Sequence, residues 1–83
     1  MFILNHMPKV LLIEDDINIV ELLSIHLNDL GCEVVPVANG QNGLALTRER
    51  TFDLVILDIM LPGLNGMEIC RRIRQTDRRT PIL

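Results

Sequence analysis

Carboxylates follow two apolar runs of the sequence at the point where each run ends. Glu14 and Asp15 come directly after residues 9–13, and Asp58 comes directly after residues 53–57. In an open parallel sheet, ligands bind at the carboxyl ends of the strands. If the two runs are neighbouring strands, three carboxylates crowd one crevice, where their repulsion raises pKa values or requires a cation. Mg²⁺ suits such a site, because it binds one or two carboxylates together with waters and phosphate oxygens.

Each of these acidic residues also has a purely structural explanation. Glu14 or Asp15 alone would more often be a solvated strand end, and Asp16 is expected to be the N-cap of the following helix. Asp58 is harder to explain in this way, because a charge attached to a buried apolar strand lowers stability unless it is paired. Asp58 is therefore the strongest single candidate for a functional residue.

The order of apolar runs predicts three strand–helix pairs and the beginning of a fourth strand. Strands are predicted at residues 9–13, 33–37 and 53–57, and residues 80–83 resemble the start of another. Helices are predicted after Asp16, over residues 41–50, and from Asn65 to about residue 75. Short continuous apolar runs are typical of parallel strands covered on both faces. Their alternation with helices indicates an α/β fold of βαβ units with right-handed crossovers.

Single residues refine this outline. Gly31 is expected to end the first helix. Pro36 places the second strand at a sheet edge, because proline cannot donate a hydrogen bond to a ladder. Residues 53–57 are predicted to form the most central strand, and Pro62-Gly63 predicts a turn.

Composition excludes several classes of protein. The chain has 83 residues, a formal net charge of −3 and 48% hydrophobic residues, which allows one small folded domain and excludes a disordered chain. Its mild acidity disfavours binding to nucleic acid or an anionic membrane, and no apolar run reaches the roughly 18 residues that span a bilayer. Cys32 and Cys70 belong to no metal or redox motif and fit free thiols in a reducing compartment, so a cytoplasmic location is expected.

Three segments together resemble the receiver domain of bacterial response regulators. They are VLLIEDD at residues 10–16, DLVILDIMLPG at residues 53–63 and the Asn65-Gly66 pair, in the family's order and spacing. The resemblance extends from about residue 9 to residue 83 and is greatest to the transcription-factor branch with a winged-helix DNA-binding output. It implies a flavodoxin-like receiver fold, a parallel sheet with helices on both faces, with strand order 2-1-3-4-5.

The resemblance also implies a role for each residue of the acidic cluster. Asp58 would be the phosphoacceptor, a carboxylate nucleophile that attacks a phosphohistidine on a sensor histidine kinase. Asp15 and Asp58 would bind Mg²⁺ directly, with the backbone carbonyl of Met60 as a third ligand, and Glu14 would act through metal-bound water. The implied function is a phosphoryl-accepting signalling receiver that normally controls transcription. It would not be an enzyme, and the chain itself would contact neither nucleic acid nor membrane.

The family has further elements beyond the position of residue 83. Its fourth strand ends in a Ser or Thr and its fifth strand supplies a Lys, and both contact the phosphoryl group. We therefore expect a partial receiver domain over residues 9–83, truncated after the start of strand 4, preceded by an N-terminal extension of residues 1–8. Since the family's last helix shares a sheet face with the first helix, we also expect exposed apolar surface.

A different class of function stays open from the sequence. The chain could be a phosphorylation-independent interaction module, in which an exposed sheet edge pairs with a second copy to give a homodimer. Arginines near the C-terminus fit either a solvated helix end or a docking surface for a kinase or subunit; they are Arg71, Arg72, Arg74, Arg78 and Arg79. The P-loop and EF-hand motifs are absent from the sequence. Met60 stands where phosphatases of the haloacid dehalogenase type usually carry a second Asp.

Overall fold

The computed structural model describes residues 7–61 and 65–83, within which three strands alternate with three helices. The strands are β1 (Lys9–Ile13), β2 (Glu33–Val37) and β3 (Leu54–Leu57), and the helices are α1 (Ile17–Asp29), α2 (Gly40–Glu49) and α3 (Gly66–Thr76). The predicted α/β architecture is confirmed. The turn predicted at Pro62-Gly63 lies outside the described residues, as do residues 1–6 of the predicted extension.

The sheet is parallel, with the order β2-β1-β3. Val10 of β1 lies beside Val34 on one side and Leu54 on the other, and the side chains from Val10 to Ile13 are all buried. β2 lies at an edge of this sheet, as Pro36 predicts. β1 is therefore the strand whose two edges and two faces are all covered.

β3 is less enclosed than the sequence indicates. Val55 and Leu57 are buried, but Leu54 and Ile56, which point to the opposite face, are only half-buried. The prediction that this strand is the most central one is wrong. An unbroken apolar run is compatible with burial on both faces of a strand. Whether both faces are buried depends on the helices that pack against each face of the sheet.

The beginning of a fourth strand is observed next to β3. Ile82 forms a single parallel bridge with Val55. The Val55 amide donates to the Pro81 carbonyl at 2.9 Å, and the Leu83 amide donates to the Val55 carbonyl at 2.8 Å. These bonds continue the sheet beyond β3, on the side away from β1.

The helices divide unequally between the two faces of the sheet. Because β2 and β3 lie on opposite sides of β1, right-handed crossovers place α1 on one face and α2 on the other. The main core lies between the sheet and the α2 and α3 helices; its buried members are Leu11, Ile13, Leu44, Phe52, Val55, Leu57, Leu61, Ile69 and Ile73. α1 has no fully buried residue and exposes large apolar side chains at Ile17, Leu22 and Ile25, so the expected bare apolar surface is confirmed.

Polar residues fix where the helices begin. Asp16 is the N-cap of α1, as predicted, and its side chain accepts a hydrogen bond from the Asn18 amide at 2.9 Å. Asn39 caps α2 in the same way, so that helix begins at Gly40 and not at residue 41. Gly31 has a φ of 88° and directly follows the C-cap of α1, which confirms that it ends this helix. No helix in the described ranges has both the length and the hydrophobicity needed to cross a membrane.

Candidate functional site

The ends of β1 and β3 bring two acidic residues to the same edge of the sheet. Ile13 and Leu57 are the last paired residues of the ladder between these strands. Glu14 and Asp58 are the next residue of each chain segment, so their backbones lie side by side. The Asp58 amide donates to the Ile13 carbonyl at 3.1 Å, and the Glu14 amide donates to the Val37 carbonyl at 3.0 Å. The backbone that carries both carboxylates is thus held by the sheet itself.

The three acidic residues predicted from the sequence form one cluster. Glu14, Asp15 and Asp58 each have a carboxylate oxygen within 4.8 Å of those of the other two. Glu14 is buried, with 8% of its surface exposed, Asp58 is half-buried and Asp15 is exposed. The acidic cluster, as we call these three residues, therefore extends from the interior to solvent, where a solute can reach it.

Backbone amides orient two of these carboxylates. The Asp16 amide donates to Glu14 Oε2 at 3.1 Å, and the Met60 amide donates to Asp58 Oδ1 at 2.9 Å. Each donor lies two residues after its acceptor, so the loop that follows each strand folds back over the strand's terminal carboxylate. The metal-ligand role of the Met60 carbonyl stays a prediction.

The electrostatics of the acidic cluster favour a cation. Burial raises the pKa of the Glu14 carboxyl above its ordinary value, the Asp16 amide lowers it, and the neighbouring Asp58 and Asp15 charges raise it further. A divalent cation would offset this repulsion, and oxygen donors from carboxylates are those that Mg²⁺ prefers. The residues present therefore fit a Mg²⁺ ion.

The raised pKa of Glu14 predicts a particular dependence of stability on pH. Because the folded chain holds the Glu14 proton more tightly than the unfolded chain, this residue's contribution to stability is greatest at low pH. The contribution is lost as the pH rises from 4.5 through the higher pKa of the folded state. Urea unfolding without divalent cations should show wild type losing free energy of unfolding relative to Glu14→Gln across this range. A constant difference between the two chains would contradict the prediction.

Two of the C-terminal arginines are engaged on the surface of α3. Arg71 and Arg72 form ion pairs with Glu68 at 2.5 Å and 2.9 Å, and both bonds lower the pKa of the Glu68 carboxyl. The Arg74 guanidinium donates to the Asp77 carbonyl at 3.2 Å, at the end of the same helix. These contacts favour the interpretation as a solvated helix end, and the docking surface stays a prediction.

One residue near the acidic cluster received no site role from the sequence. Gly66 begins α3, and its amide donates to the Ile59 carbonyl at 3.1 Å, one residue beyond Asp58. The only sequence signal was its place in the Asn65-Gly66 pair, which contributes to the family resemblance and indicates no contact. That contact is visible only in three dimensions.

Comparison with known sequences gives consistent matches. A family model described as the response regulator receiver domain matches residues 10–83. The transcriptional regulatory protein AfsQ1 of Streptomyces coelicolor is 51% identical over 77 residues, covering 93% of this chain and 34% of that protein. The response regulator ArlR of Staphylococcus aureus is 42% identical over 77 residues, covering 93% and 35%. The chain therefore spans about a third of the length of these curated relatives.

Solved structures match over the same region. The response regulator TrrA of Thermotoga maritima in complex with Mg²⁺-BeF is 37% identical with a TM-score of 0.88, covering 92% of this chain and 66% of that one. TrrA in complex with the histidine kinase ThkA matches with the same identity and coverages and a TM-score of 0.86. The chemotaxis response regulator CheY4 of Vibrio cholerae is 35% identical with a TM-score of 0.89, covering 93% and 66%. The predicted flavodoxin-like fold is confirmed by these likenesses.

Proposed function

The chain belongs to the family of response regulator receiver domains, and from this premise we propose that Asp58 accepts a phosphoryl group from a histidine kinase. The observation that carries the proposal is the convergence of Glu14, Asp15 and Asp58 at the ends of adjacent strands. Two further findings support it: TrrA, a structural relative, has been solved with a histidine kinase, and AfsQ1 is a transcriptional regulatory protein.

Asp15 and Asp58 would hold a Mg²⁺ ion together with the Met60 carbonyl, and Glu14 would act through metal-bound water. The relative TrrA, solved with Mg²⁺-BeF, supports this choice of metal. When bound, Mg²⁺ supplies positive charge that offsets the negative charge of the transferring phosphoryl group. Glu14 places a carboxyl group on the buried side of the site, where a cation would offset the repulsion from the Asp15 and Asp58 charges.

Asp58 supplies the nucleophile. One carboxylate oxygen accepts the hydrogen bond from the Met60 amide, which orients the group at the end of β3. A carboxylate oxygen forms the new bond to phosphorus while the bond from phosphorus to the donor imidazole nitrogen breaks, and that nitrogen keeps the electron pair. Because the other ring nitrogen carries a proton, the imidazole leaves as neutral histidine on the kinase, and Asp58 becomes an acyl phosphate. The Asp58 amide is hydrogen-bonded to the Ile13 carbonyl of β1, so the backbone of the acceptor stays in place during transfer.

The chain is accordingly a phosphoacceptor signalling domain, which is itself phosphorylated on Asp58 when the phosphoryl group is transferred. Control of transcription belongs to the whole protein of its relatives, of which this chain spans about a third, and we propose it for this protein on that basis. In this proposal the chain itself contacts neither nucleic acid nor membrane. A cytoplasmic location accompanies the proposal, since half-buried free thiols at Cys32 and Cys70 suit a reducing compartment.

Phosphoryl uptake from a small donor tests this function directly. The chain is incubated with acetyl phosphate and Mg²⁺, and its intact mass is measured beside a sample in which a chelator removes the metal. We expect one phosphoryl group per chain with Mg²⁺ and little with the chelator, on a peptide that contains Asp58. No uptake at any donor concentration would overturn the proposal for this chain.

A second copy of the chain is an alternative partner. Around the end of β3, exposed apolar side chains at Ile59, Met67 and Leu83 border a cavity of about 180 Å³. Beside it, the outer side of Ile82 pairs with no strand among the residues described, so its backbone is open to edge-to-edge pairing. The molecular mass in solution, measured on the same samples, distinguishes the two functions: dimers that form equally without Mg²⁺ or phosphodonor, and take up no phosphoryl group, would favour this alternative.

A further inference from the structure

We propose that Gly66 is a positioning residue for Asp58: its missing side chain lets α3 begin directly against the backbone that carries the acceptor. The inference rests on the proposed function of Asp58 and adds to it a residue that contacts neither metal nor phosphoryl group. The start of α3 thereby sets the geometry of the acidic cluster.

The contact between Gly66 and the loop after β3 is a contact between backbones. Gly66 is buried, and its amide donates to the Ile59 carbonyl at 3.1 Å. A Cβ atom built on Gly66 would lie 2.7 Å from the Asp58 carbonyl oxygen and closer still to Ile59 Cα. Side-chain rotation cannot relieve a conflict with backbone atoms, so any larger residue must displace the backbone of Asp58 and Ile59.

Two other glycines of the chain show how specific this conflict is. At Gly43, the nearest atoms to an added Cβ are side-chain atoms of Ile13 and Val37, with Ile13 Cγ1 at 2.8 Å, and none belongs to a backbone. At Gly31, an added Cβ would meet nothing within 4 Å, and only the φ of +88° opposes substitution. Gly66 is thus the position, among these three, where a methyl group would press on the acceptor's own backbone.

The helix cannot simply move away from the loop. Ile69 and Ile73 of α3 are fully buried in the main core, and the Asn65 side chain caps the helix by accepting from the Glu68 amide at 2.9 Å. Because α3 is held at these points, the loop must yield. The Met60 amide, which orients Asp58 Oδ1, follows Ile59 directly, so a shift of Ile59 changes the direction of the Asp58 carboxylate.

Mg²⁺ titration of matched variants tests the inference without any phosphodonor. We expect Gly66→Ala to raise the Mg²⁺ dissociation constant by about tenfold or more, the loss typical when a group that orients a ligand is displaced. Gly31→Ala is the control, because it strains the backbone at the far end of α1 and should leave the dissociation constant unchanged. Equal affinities for Gly66→Ala and wild type would overturn the inference.

A double variant identifies the cause of the effect. Ile59→Ala removes the side-chain carbon that a Cβ on Gly66 would approach at 3.0 Å, but leaves the backbone atoms in place. We therefore expect Gly66→Ala with Ile59→Ala to bind Mg²⁺ as weakly as Gly66→Ala alone. Full recovery of affinity would show that side-chain crowding causes the loss, and would overturn the positioning role.

Measurements on wild type keep the inference testable if Gly66→Ala does not fold. Addition of Mg²⁺ should shift the amide resonance of Gly66 together with those of Asp58 and Met60, since Gly66 donates to the intervening residue. An unshifted Gly66 amide beside shifted Asp58 and Met60 amides would overturn the inference and leave the proposed function intact. Wild type that binds no Mg²⁺ would overturn both.

Discussion

A chain in which Asn replaces Asp58 is expected to take up no phosphoryl group from acetyl phosphate and Mg²⁺, whereas wild type takes up one. The substitution keeps the size of the side chain and an oxygen that can accept from the Met60 amide. It removes the proposed nucleophile, because an amide oxygen does not displace a leaving group from phosphorus under these conditions. Intact-mass spectrometry over a time course measures the difference directly.

Stability measured on the same variant separates lost chemistry from unfolding. Asp58→Asn removes one charge from a cluster in which Asp58 helps to raise the pKa of Glu14, so the metal-free variant should be at least as stable as wild type to urea. Asp16→Asn is the matched control: Asp16 is exposed next to the cluster, and Asn caps a helix as well as Asp does. Uptake by Asp58→Asn equal to that of Asp16→Asn would assign the acceptor to another residue.

Ile73→Ala is expected to cause the largest loss of stability. Ile73 lies on the buried side of α3, has no exposed surface and packs in the main core. Deleting such a side chain costs about 2–5 kcal/mol, from lost burial together with the cavity left behind. Whole domains are stable by only about 5–15 kcal/mol, and short chains bury a smaller fraction of their surface. We therefore expect the midpoint of urea unfolding, followed by circular dichroism, to fall steeply or the variant to be unfolded without denaturant.

The same chemical change on another helix provides the control. Ile25 of α1 is 59% exposed, so Ile25→Ala should change the free energy of unfolding by no more than about 0.5 kcal/mol. Equal losses for Ile25→Ala and Ile73→Ala would show that α1 is covered in solution, for instance by a second copy of the chain. This pair of variants therefore also tests whether the exposed apolar face of α1 is free.

The acidic cluster could be predicted from the sequence because its position depends on a few local rules. Apolar runs of strand length locate the strands, and their alternation with helices indicates a parallel sheet. The carboxyl ends of parallel strands all lie at one edge of the sheet. Glu14, Asp15 and Asp58 lie at strand ends, so these rules bring them to one edge of the sheet. That β1 and β3 are neighbours was implied only by the family resemblance, and the structure confirms it. Capping by Asp16 and the end of α1 at Gly31 were predictable for the same reason, since both depend on local backbone chemistry.

Other features depend on neighbours that a linear pattern does not contain. Residues 53–57 have the apolar composition of a central strand, yet one face of β3 is incompletely covered because α1, the helix on that face, packs mainly against β2. The role of Gly66 is hidden for a related reason. The sequence shows only that residue 66 has no side chain. The backbone that occupies the space of the missing Cβ belongs to Asp58 and Ile59, at the end of β3 and in the loop after it.

The position of β1 between β2 and β3 also imposes an order of events when the chain is synthesised. β1 leaves the ribosome first, but both of its hydrogen-bonding partners are encoded later, and the β3 partner ends only at Leu57. Until then residues 10–13 have no completed sheet to enter, although all four become buried, with 1% or less of their surface exposed. Contacts so distant along the chain form slowly. The nascent chain therefore exposes the apolar β1 segment early and covers it late, and aggregation can compete with folding during that interval.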